Sequence, residues 1–333
     1  MKYVITGSAG NISKPLAVQL LKAGHQVTVI GRNAANLKEL TDAGINAAIG
    51  SVEDVDFLTK TFTGADAVYT MIPPIHATTD WKTHIGKTGQ TYATAIKASG
   101  VKHVVNLSSI GAHLPDGVGP VSGLHRVENS LNTLTDVNIK HLRPSYFYNN
   151  LLANIGMIKG MGIIGSNFAV AEGRFPIVAP TDIADVAAEE LLGLSFSGHS
   201  IRYIASDEVS TNQIASVLGT AIGKPDLAWV QFTDEQALGG MLQAGLPEEI
   251  AKNYTEMNHS LNTGVMSVDY FTHHPTTLGK IKLADFAKTF AALYNAHSPL
   301  ALGTGFCLTP SFRPAWSVGQ GRCGKFLLPQ FTT

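Results

Sequence analysis

Short apolar runs alternate with amphipathic segments along residues 1–143. The first run is Tyr3-Val4-Ile5, and the segment after it places Leu16 and Leu20 on one helical face. The alternation then repeats, with further runs typical of buried strands at residues 26–30, 46–49, 67–71, 103–107 and 139–143. Because a right-handed crossover places a helix between successive strands, the pattern predicts an α/β fold with a doubly wound parallel sheet.

A glycine-rich turn joins the first predicted strand to the first predicted helix. It consists of Gly7-Ser8-Ala9-Gly10-Asn11-Ile12. Glycine lets the backbone approach a pyrophosphate, and the N–H groups at the start of a helix donate to it. Glycines also end strands for steric reasons alone, which leaves a purely structural turn as the alternative. The position between a strand and a helix favours nucleotide binding and predicts an NAD(P)-binding Rossmann fold.

Beyond Pro144 the predicted strands and helices no longer alternate regularly. Helices are predicted in this half at residues 148–162, 181–194, 247–262 and 277–294. We therefore predict a Rossmann domain at residues 1–150 and a smaller α/β substrate-binding lobe at 151–296, with segments near 175–205 returning to the sheet. Residues 297–333 contain no Asp or Glu and many Gly and Pro, which predicts an atypical, disordered tail.

Composition narrows the range of functions. The 24 Lys and Arg side chains nearly balance 25 Asp and Glu, and without a basic run no nucleic-acid partner is expected. No apolar run approaches the roughly 20 residues of a membrane span, and the chain enters a strand at once, so neither a membrane contact nor a signal peptide is expected. Both cysteines lie in the last segment, which fits a cytoplasmic protein. The twelve histidines show no metal-ligand spacing, so no metal site is expected.

The residue after the second strand indicates the cofactor. An acid there accepts from the 2′-hydroxyl of NAD, whereas an arginine pairs with the 2′-phosphate of NADP. This chain has Arg32 and no acid at that strand end. A solvated surface arginine is the alternative, but the position favours NADP(H) over NAD(H). Ile72, Pro73 and Pro74 end the fourth strand beside the crevice, and we expect them to line the path of the cofactor as well as to stop the strand.

Several motifs together identify a family resemblance. They are Thr6–Ile12, Gly31-Arg32-Asn33, Asn106-Leu107-Ser108-Ser109, Leu142–Asn150 and Asp182-Ile183-Ala184. In their order and spacing the chain resembles the NmrA-like group of atypical short-chain dehydrogenases/reductases, which includes reductases of quinones and of triphenylmethane dyes. The resemblance extends over about residues 1–295. It implies a Rossmann lobe that binds the cofactor and a smaller C-terminal lobe.

The resemblance also implies particular site residues. Carried over position by position, Pro144, Ser145, Tyr146 and Phe147 contact the cofactor, and Tyr146, Phe147 and Asn149 face the substrate. Core packing is the alternative for the aromatic residues, since it is their commoner fate.

The proton donor of a typical short-chain dehydrogenase is missing. These enzymes use a Tyr-x-x-x-Lys pair, in which the lysine lowers the pKa of the tyrosine, but no tyrosine here has a lysine four residues on. The corresponding helix, predicted at residues 124–135, carries His125 and Glu128 instead. Ser108, His125 and Tyr146 remain as weak catalytic candidates. For His125 the favoured explanation is a helix-surface histidine without a catalytic role.

We therefore expect an NADPH-dependent oxidoreductase that transfers a hydride to a quinone-like or other conjugated small molecule. Such acceptors take a hydride without a strong acid, so the protein needs mainly to position the reactants and exclude water. The alternative is a non-catalytic NADP(H)-binding redox sensor that regulates a protein partner. A homodimer is compatible with either function. A sugar epimerase ranks last, because it needs the tyrosine.

Overall fold

The computed structural model describes residues 1–75 and 78–296, so the predicted tail at 297–333 lies outside the described residues. The strands are β1 (Lys2–Ile5), β2 (Gln26–Gly31), β3 (Asn46–Ile49), β4 (Ala67–Thr70), β5 (His103–Leu107), β6 (Asn138–Pro144), β7 (Tyr146–Phe147), β8 (Ile164–Ser166), β9 (Phe175–Val178), β10 (His199–Ile204), β11 (Asp207–Val209) and β12 (Trp229–Gln231). The α-helices are α1 (Ser13–Lys22), α2 (Lys38–Asp42), α3 (Val55–Phe62), α4 (Trp81–Ser99), α5 (Val121–Leu131), α6 (Ile155–Met161), α7 (Pro180–Gly193), α8 (Thr211–Ala221), α9 (Asp234–Gln243), α10 (Glu248–Asn262), α11 (Val268–Thr272) and α12 (Leu283–Ala296). Short 3-10 helices cover Ala34–Leu37, Tyr148–Asn154 and Val265–Ser267.

One parallel sheet of seven strands organises the molecule, in the order β10-β6-β5-β4-β1-β2-β3. The strand β10 pairs with β6 along its whole length, from His199 opposite Ile139 to Ile204 opposite Pro144. The direction in which strands are added reverses between β1 and β4, and in such sheets ligands bind at the carboxyl ends of the strands beside that reversal. The predicted Rossmann fold is therefore confirmed.

Helices cover both faces of this sheet. On one face α1 and α7 bury Leu16, Leu20 and Ile183 against the sheet, and on the other α3, α4 and α5 bury Phe62 and Val127. Completely burying one such side chain contributes about 1.5–3 kcal/mol. None of the helices in the described ranges combines the length and the apolar character that crossing a bilayer requires.

The later helices and the short strands build a third apolar core over the carboxyl edge of the sheet. It includes Ile110 from the loop after β5, Tyr148 and Phe168. Two small sheets, β11-β9-β7 and β12-β8, belong to this region. We refer to the residues around this third core as the C-terminal lobe, which also includes residues from the loop after β5 and from the segment after β6.

Two predicted helices have different bounds in the structure. The helix predicted at 124–135 is α5, which begins at Val121, and the helix predicted at 277–294 is α12, which begins only at Leu283. The segment before α12 is held by tertiary contacts instead. Ile281 N–H donates to Asp182 Oδ2 at 3.0 Å, and Lys282 Nζ donates to Ser206 O at 2.6 Å.

Candidate functional site

The glycine turn forms a cradle between β1 and α1. Gly7 has φ +92°, in the left-handed region, and a Cβ there would lie 2.3 Å from Ser13 Oγ, so only glycine fits. Ser8 follows with φ +55°, and its N–H donates to Ile30 O at 3.0 Å, which ties the turn to the end of β2. Glycine therefore lets the start of α1 pack closely against the turn.

Backbone donors remain open where the turn enters α1. Within the described residues, the N–H groups of Asn11 and Ile12 donate to no backbone acceptor, and the exposed positions are Gly10 and Asn11. The first turn of α1 contains no acidic side chain. The partial positive charge of a helix N-terminus adds to such donors. The predicted residues Gly7 to Ile12, Ala9 among them, thus fit a bound pyrophosphate.

Arg32 follows β2 directly and is exposed near this turn. The end of β2 touches the turn, because a Cβ at Gly31 would lie 2.8 Å from Ser8 Oγ. The lysines on the neighbouring helices are already paired, Lys14 with Glu39 at 2.6 Å and Lys38 with Asp42 at 2.7 Å. Arg32, by contrast, has no ion pair in the part of the chain that the structure describes. Its guanidinium is available to pair with a 2′-phosphate.

The loop after β4 reaches the same turn. Met71 N–H donates to Thr6 Oγ1 at 2.8 Å, and a Cβ at Gly7 would lie 2.9 Å from the Met71 side chain. The predicted loop Ile72-Pro73-Pro74 belongs to no helix or strand and is only partly buried. It therefore begins beside the turn, and its contact with a cofactor stays a prediction.

Ser145 lies directly after β6 and carries a buried hydroxyl without a partner. Its N–H donates to Ile204 O at 2.9 Å, whereas its Oγ has no hydrogen-bond partner among the described residues. A buried polar group without a partner costs about 1–3 kcal/mol, and a bound ligand would offset that cost. Its neighbour Pro144 accepts a hydrogen bond from Ile110 N–H at 2.8 Å. These residues fit the nicotinamide end of a dinucleotide.

Tyr146 and Phe147 pack on different sides of the chain, because successive side chains of a strand point in opposite directions. Tyr146 lies 5.1 Å from Phe175 and 5.9 Å from Phe168 between ring centroids, in the C-terminal lobe. Phe147 packs instead against the core beneath α1 and α7. Asn149 is half-buried in the following 3-10 helix. Of these three, Tyr146 lies in the aromatic cluster of the C-terminal lobe.

Ser108 is buried in an ionic network. Its Oγ–H donates to Glu128 Oε1 at 2.5 Å, and Arg143 binds the same carboxylate through both oxygens at 3.0 and 2.6 Å. Arg143 also donates to Tyr203 Oη and to Asp269 Oδ2, each at 3.1 Å, and Tyr203 Oη donates to Asp269. Because its proton is directed at a carboxylate, Ser108 does not offer that proton to an acceptor in this arrangement.

His125 is engaged at both ring nitrogens. Nδ1 donates to Ala112 O at 2.8 Å, and Nε2 accepts from Asn129 Nδ2 at 2.9 Å. This arrangement holds the neutral tautomer with its proton on Nδ1. The imidazole fastens the loop after β5 to α5, which is a structural role, and the structure does not bring it together with Tyr146.

Comparison with known proteins bears on the first half of the chain. Residues 7–143 match the family model described as NAD(P)H-binding. The family resemblance predicted from the motifs is confirmed at this level, and the matched range contains the glycine turn, Arg32 and the loop after β4.

Curated relatives extend the likeness beyond the NAD(P)H-binding domain. The NAD(P)H azoreductase of Xenophilus azovorans is 26% identical over 301 residues, which cover 88% of this chain and 99% of that protein. A (4-alkanoyl-5-oxo-2,5-dihydrofuran-3-yl)methyl phosphate reductase of Streptomyces griseus is 23% identical over 297 residues, which cover 86% of this chain and 99% of that protein.

Solved structures share this fold over most of the chain. The NADPH-dependent quinone oxidoreductase of Escherichia coli, in complex with NADPH, has a TM-score of 0.71 at 20% identity and matches 88% of this chain and 100% of its own. The triphenylmethane reductase of Citrobacter sp., in complex with NADP(H), has a TM-score of 0.69 at 20% identity and matches 86% of this chain and 99% of its own.

Sequence reasoning missed two features near the NAD(P)H-binding domain. The first is the pairing of Glu128 with Arg143, although both residues lie within the motifs discussed above. Their separation by 15 positions gives no local signal, because the pair forms only when α5 packs beside β6. The second is the docking of α10 against the start of α4, where Trp81 N–H donates to Glu249 Oε1 at 2.9 Å. The amphipathic pattern of α10 predicts a helix but does not predict which element it packs against.

Proposed function

We propose that this protein is an NADPH-dependent oxidoreductase that transfers a hydride to a quinone-like or other conjugated small molecule. The observation that carries the proposal is the cradle at Gly7 to Ile12, with open backbone donors and the unpaired Arg32 beside it. The family match and the reductase relatives support NAD(P)H-dependent redox chemistry.

Two further observations favour an acceptor that needs no strong acid. The Ser108 proton is directed at Glu128, and burial raises the pKa of Tyr146 above its ordinary value, so neither hydroxyl is a ready acid at neutral pH. When bound, NADPH supplies the hydride from C4 of its nicotinamide. The protein then acts by holding the two reactants together and by excluding water.

Purified protein tests the proposal directly. With NADPH and a panel containing naphthoquinone, an azo dye and a cationic triphenylmethane dye, we expect loss of the nicotinamide absorbance with at least one acceptor. NADH should support slower turnover. Tight binding of NADPH without turnover of any acceptor would contradict the proposal.

A redox sensor is the second candidate function. The absent Tyr-x-x-x-Lys pair and the commitment of Ser108 to Glu128 favour it. It predicts a protein partner whose capture depends on the ratio of NADP⁺ to NADPH. Turnover with a conjugated acceptor, together with partners that do not respond to that ratio, would exclude it.

A further inference from the structure

The strand β10 forms one edge of the seven-stranded sheet. Among the described strands it pairs with β6 alone, and Ser145 N–H, directly after β6, donates to Ile204 O at 2.9 Å. Along a strand the backbone groups of successive residues point to opposite sides, so the even-numbered residues of β10 bond to β6. The N–H and C=O groups of Ile201 and Tyr203 therefore point away from β6, towards the open edge.

One backbone hydrogen bond shows that odd-numbered residues face this edge. Gly279 N–H, in the segment between α11 and α12, donates to Ala205 O at 2.8 Å. Within the described ranges, the backbone groups of Ile201 and Tyr203 have no hydrogen-bond partner on that side. An edge strand with such groups is a template for pairing with a further strand.

A cleft of about 900 Å³ follows the same edge. The consecutive residues 201–205 all line it, although successive side chains of a strand point to opposite faces, so the cleft borders the backbone edge of β10. Its walls are α7 on one side, with Val186 and Leu192, and residues 275–280 on the other. At about 3.3 Å per residue, this stretch of β10 gives the cleft room for an extended segment of similar length.

The charged side chains of the cleft favour a cationic ligand. Those that line it are Asp182, Asp185 and Glu189, against Arg202 and Lys280. The side chains of Asp185 and Glu189 are 39% and 66% exposed, so both carboxylates can pair with a cation that arrives from solvent. The ion pair of Lys280 with Asp185 does not prevent this, because an exposed pair contributes little.

A second copy of the chain is a poor fit for this cleft. Its own β10 also lies between α7 and residues 275–280, and these walls would meet before the two edges came within the roughly 4.8 Å that separates paired strands. A single extended segment has no such walls. When a peptide adds to a sheet edge in this way, main-chain hydrogen bonds supply the affinity, and the surfaces beside the strand select its alternate side chains.

We propose that the open edge of β10 binds an extended peptide segment of a partner protein, which pairs with the backbone of Ile201 and Tyr203. The segment carries apolar side chains that pack on Val186 and Leu192, and a basic residue at its end that pairs with a carboxylate of α7. No residue of the glycine turn takes part, so the interaction does not depend on the proposed hydride transfer.

A synthetic peptide tests the pairing without any cofactor or acceptor. The probe is the acetylated and amidated heptapeptide Lys-Val-Thr-Val-Thr-Val-Lys, and calorimetric titration into the full chain should show saturable binding of one peptide per protein. N-methylation of its three central residues removes N–H donors and keeps the side chains and charge, so Kd should rise at least about tenfold. Glutamate in place of both lysines should also raise Kd. No binding at millimolar concentration, or the same Kd for the methylated peptide, would overturn the proposal.

A matched pair of protein variants locates the site. Leu192→Lys removes an apolar contact and repels the lysines of the probe, so its Kd should rise about tenfold. Leu242→Lys is the control, since Leu242 on α9 is 41% exposed, as against 42% for Leu192, and lies outside the cleft. In the wild type the peptide should slow amide hydrogen exchange at Ile201 and leave Arg202, whose N–H already faces β6, unchanged. Equal Kd for the two variants, unchanged exchange at Ile201, or a dimer in sedimentation that Leu192→Lys dissociates would contradict the assignment; the dimer would mean that a second copy covers the edge.

Discussion

The conformation of single residues decides whether the glycine turn can hold a pyrophosphate. Gly7 combines a left-handed backbone with a neighbour that leaves no room for a side chain. We expect Gly7→Ala to abolish detectable NADPH binding, because the turn must open to admit the new Cβ. We also expect it to lower the free energy of unfolding by more than the roughly 1 kcal/mol that left-handed strain alone costs. Fluorescence titration with NADPH and thermal unfolding measure the two effects.

Gly24 provides a matched control for that substitution. It has φ +83°, also in the left-handed region, but a Cβ placed there would have nothing within 4 Å, and the residue follows α1 at the other end of the helix. Gly24→Ala should carry the backbone strain without any loss of NADPH affinity. Similar losses of affinity in the two variants would mean that the turn does not contact the cofactor.

Arg32 is a second single residue with a testable role, because we expect it to set the preference for NADPH over NADH. Because its guanidinium has no competing partner within the described residues, Arg32→Ala should leave stability unchanged. It should raise KM for NADPH by about tenfold or more, the loss of a charge-assisted contact, and leave KM for NADH unchanged. Lys38→Ala is the control, since Lys38 is paired with Asp42. An unchanged preference for NADPH in Arg32→Ala would place the 2′-phosphate elsewhere.

At the scale of elements, a buried polar chain connects three strands to the end of α5. Thr70 on β4 donates to Asn106 Oδ1 at 2.9 Å, Asn106 Nδ2 lies 3.1 Å from His141 Nδ1, and His141 Nε2 lies 3.0 Å from Asn132 Oδ1. The side-chain amides fix the neutral ring, with Nε2 protonated. Burial lowers the pKa of His141 from 6.5 to about 4.

Because of His141, we expect the free energy of unfolding to depend on pH. The unfolded chain takes up a proton near pH 6.5 and the folded chain only near pH 4, so the folded state loses stability as pH falls between these values. The full difference is about 3 kcal/mol at about 1.4 kcal/mol per pH unit. Denaturant unfolding of the wild type and of His141→Gln at pH 7 and pH 4.5 should show a smaller fall for the variant. Equal falls in the wild type and the variant would contradict the prediction.

The same elements explain how far the sequence predicts the structure. Local patterns predicted the strands of the sheet and the loop at Pro73, because each depends on neighbours along the chain. The start of α12 was predicted too early, because Asp182, which is far away in sequence, accepts a hydrogen bond from the backbone N–H of Ile281. The docking of α10 was likewise not predicted, because no local pattern encodes the hydrogen bond between Glu249 and the start of α4.

At the scale of the whole molecule, Arg143 joins the Rossmann sheet to the C-terminal lobe. From β6 it binds Glu128 on α5, and it reaches Asp269 on α11 and Tyr203 on β10. An isolated buried ion pair is weak support for stability, since desolvation offsets the attraction. Here the surrounding donors satisfy the carboxylates, so the network holds α5 and α11 against the end of β6.

Removing one partner of this network should therefore lower the free energy of unfolding far more than breaking an exposed ion pair does. Glu128→Gln leaves the charge of Arg143, whose side chain is only 9% exposed, without its main counter-ion. We expect the free energy of unfolding to fall by about 3–5 kcal/mol.

The control is Asp136→Asn, which breaks the exposed pair with Lys102. The side chains of Asp136 and Lys102 are 71% and 56% exposed, so the free energy of unfolding should fall by at most about 1 kcal/mol. Replacing both buried partners by apolar residues, Glu128→Leu with Arg143→Met, should recover part of the lost stability, because the guanidinium is then no longer buried without its main counter-ion and Asp269 keeps the hydrogen bond from Tyr203. If that double variant is as unstable as Glu128→Gln, the cost lies in lost packing between the lobes and not in an unpaired charge. Chemical denaturation of the four proteins at pH 7 distinguishes the two explanations.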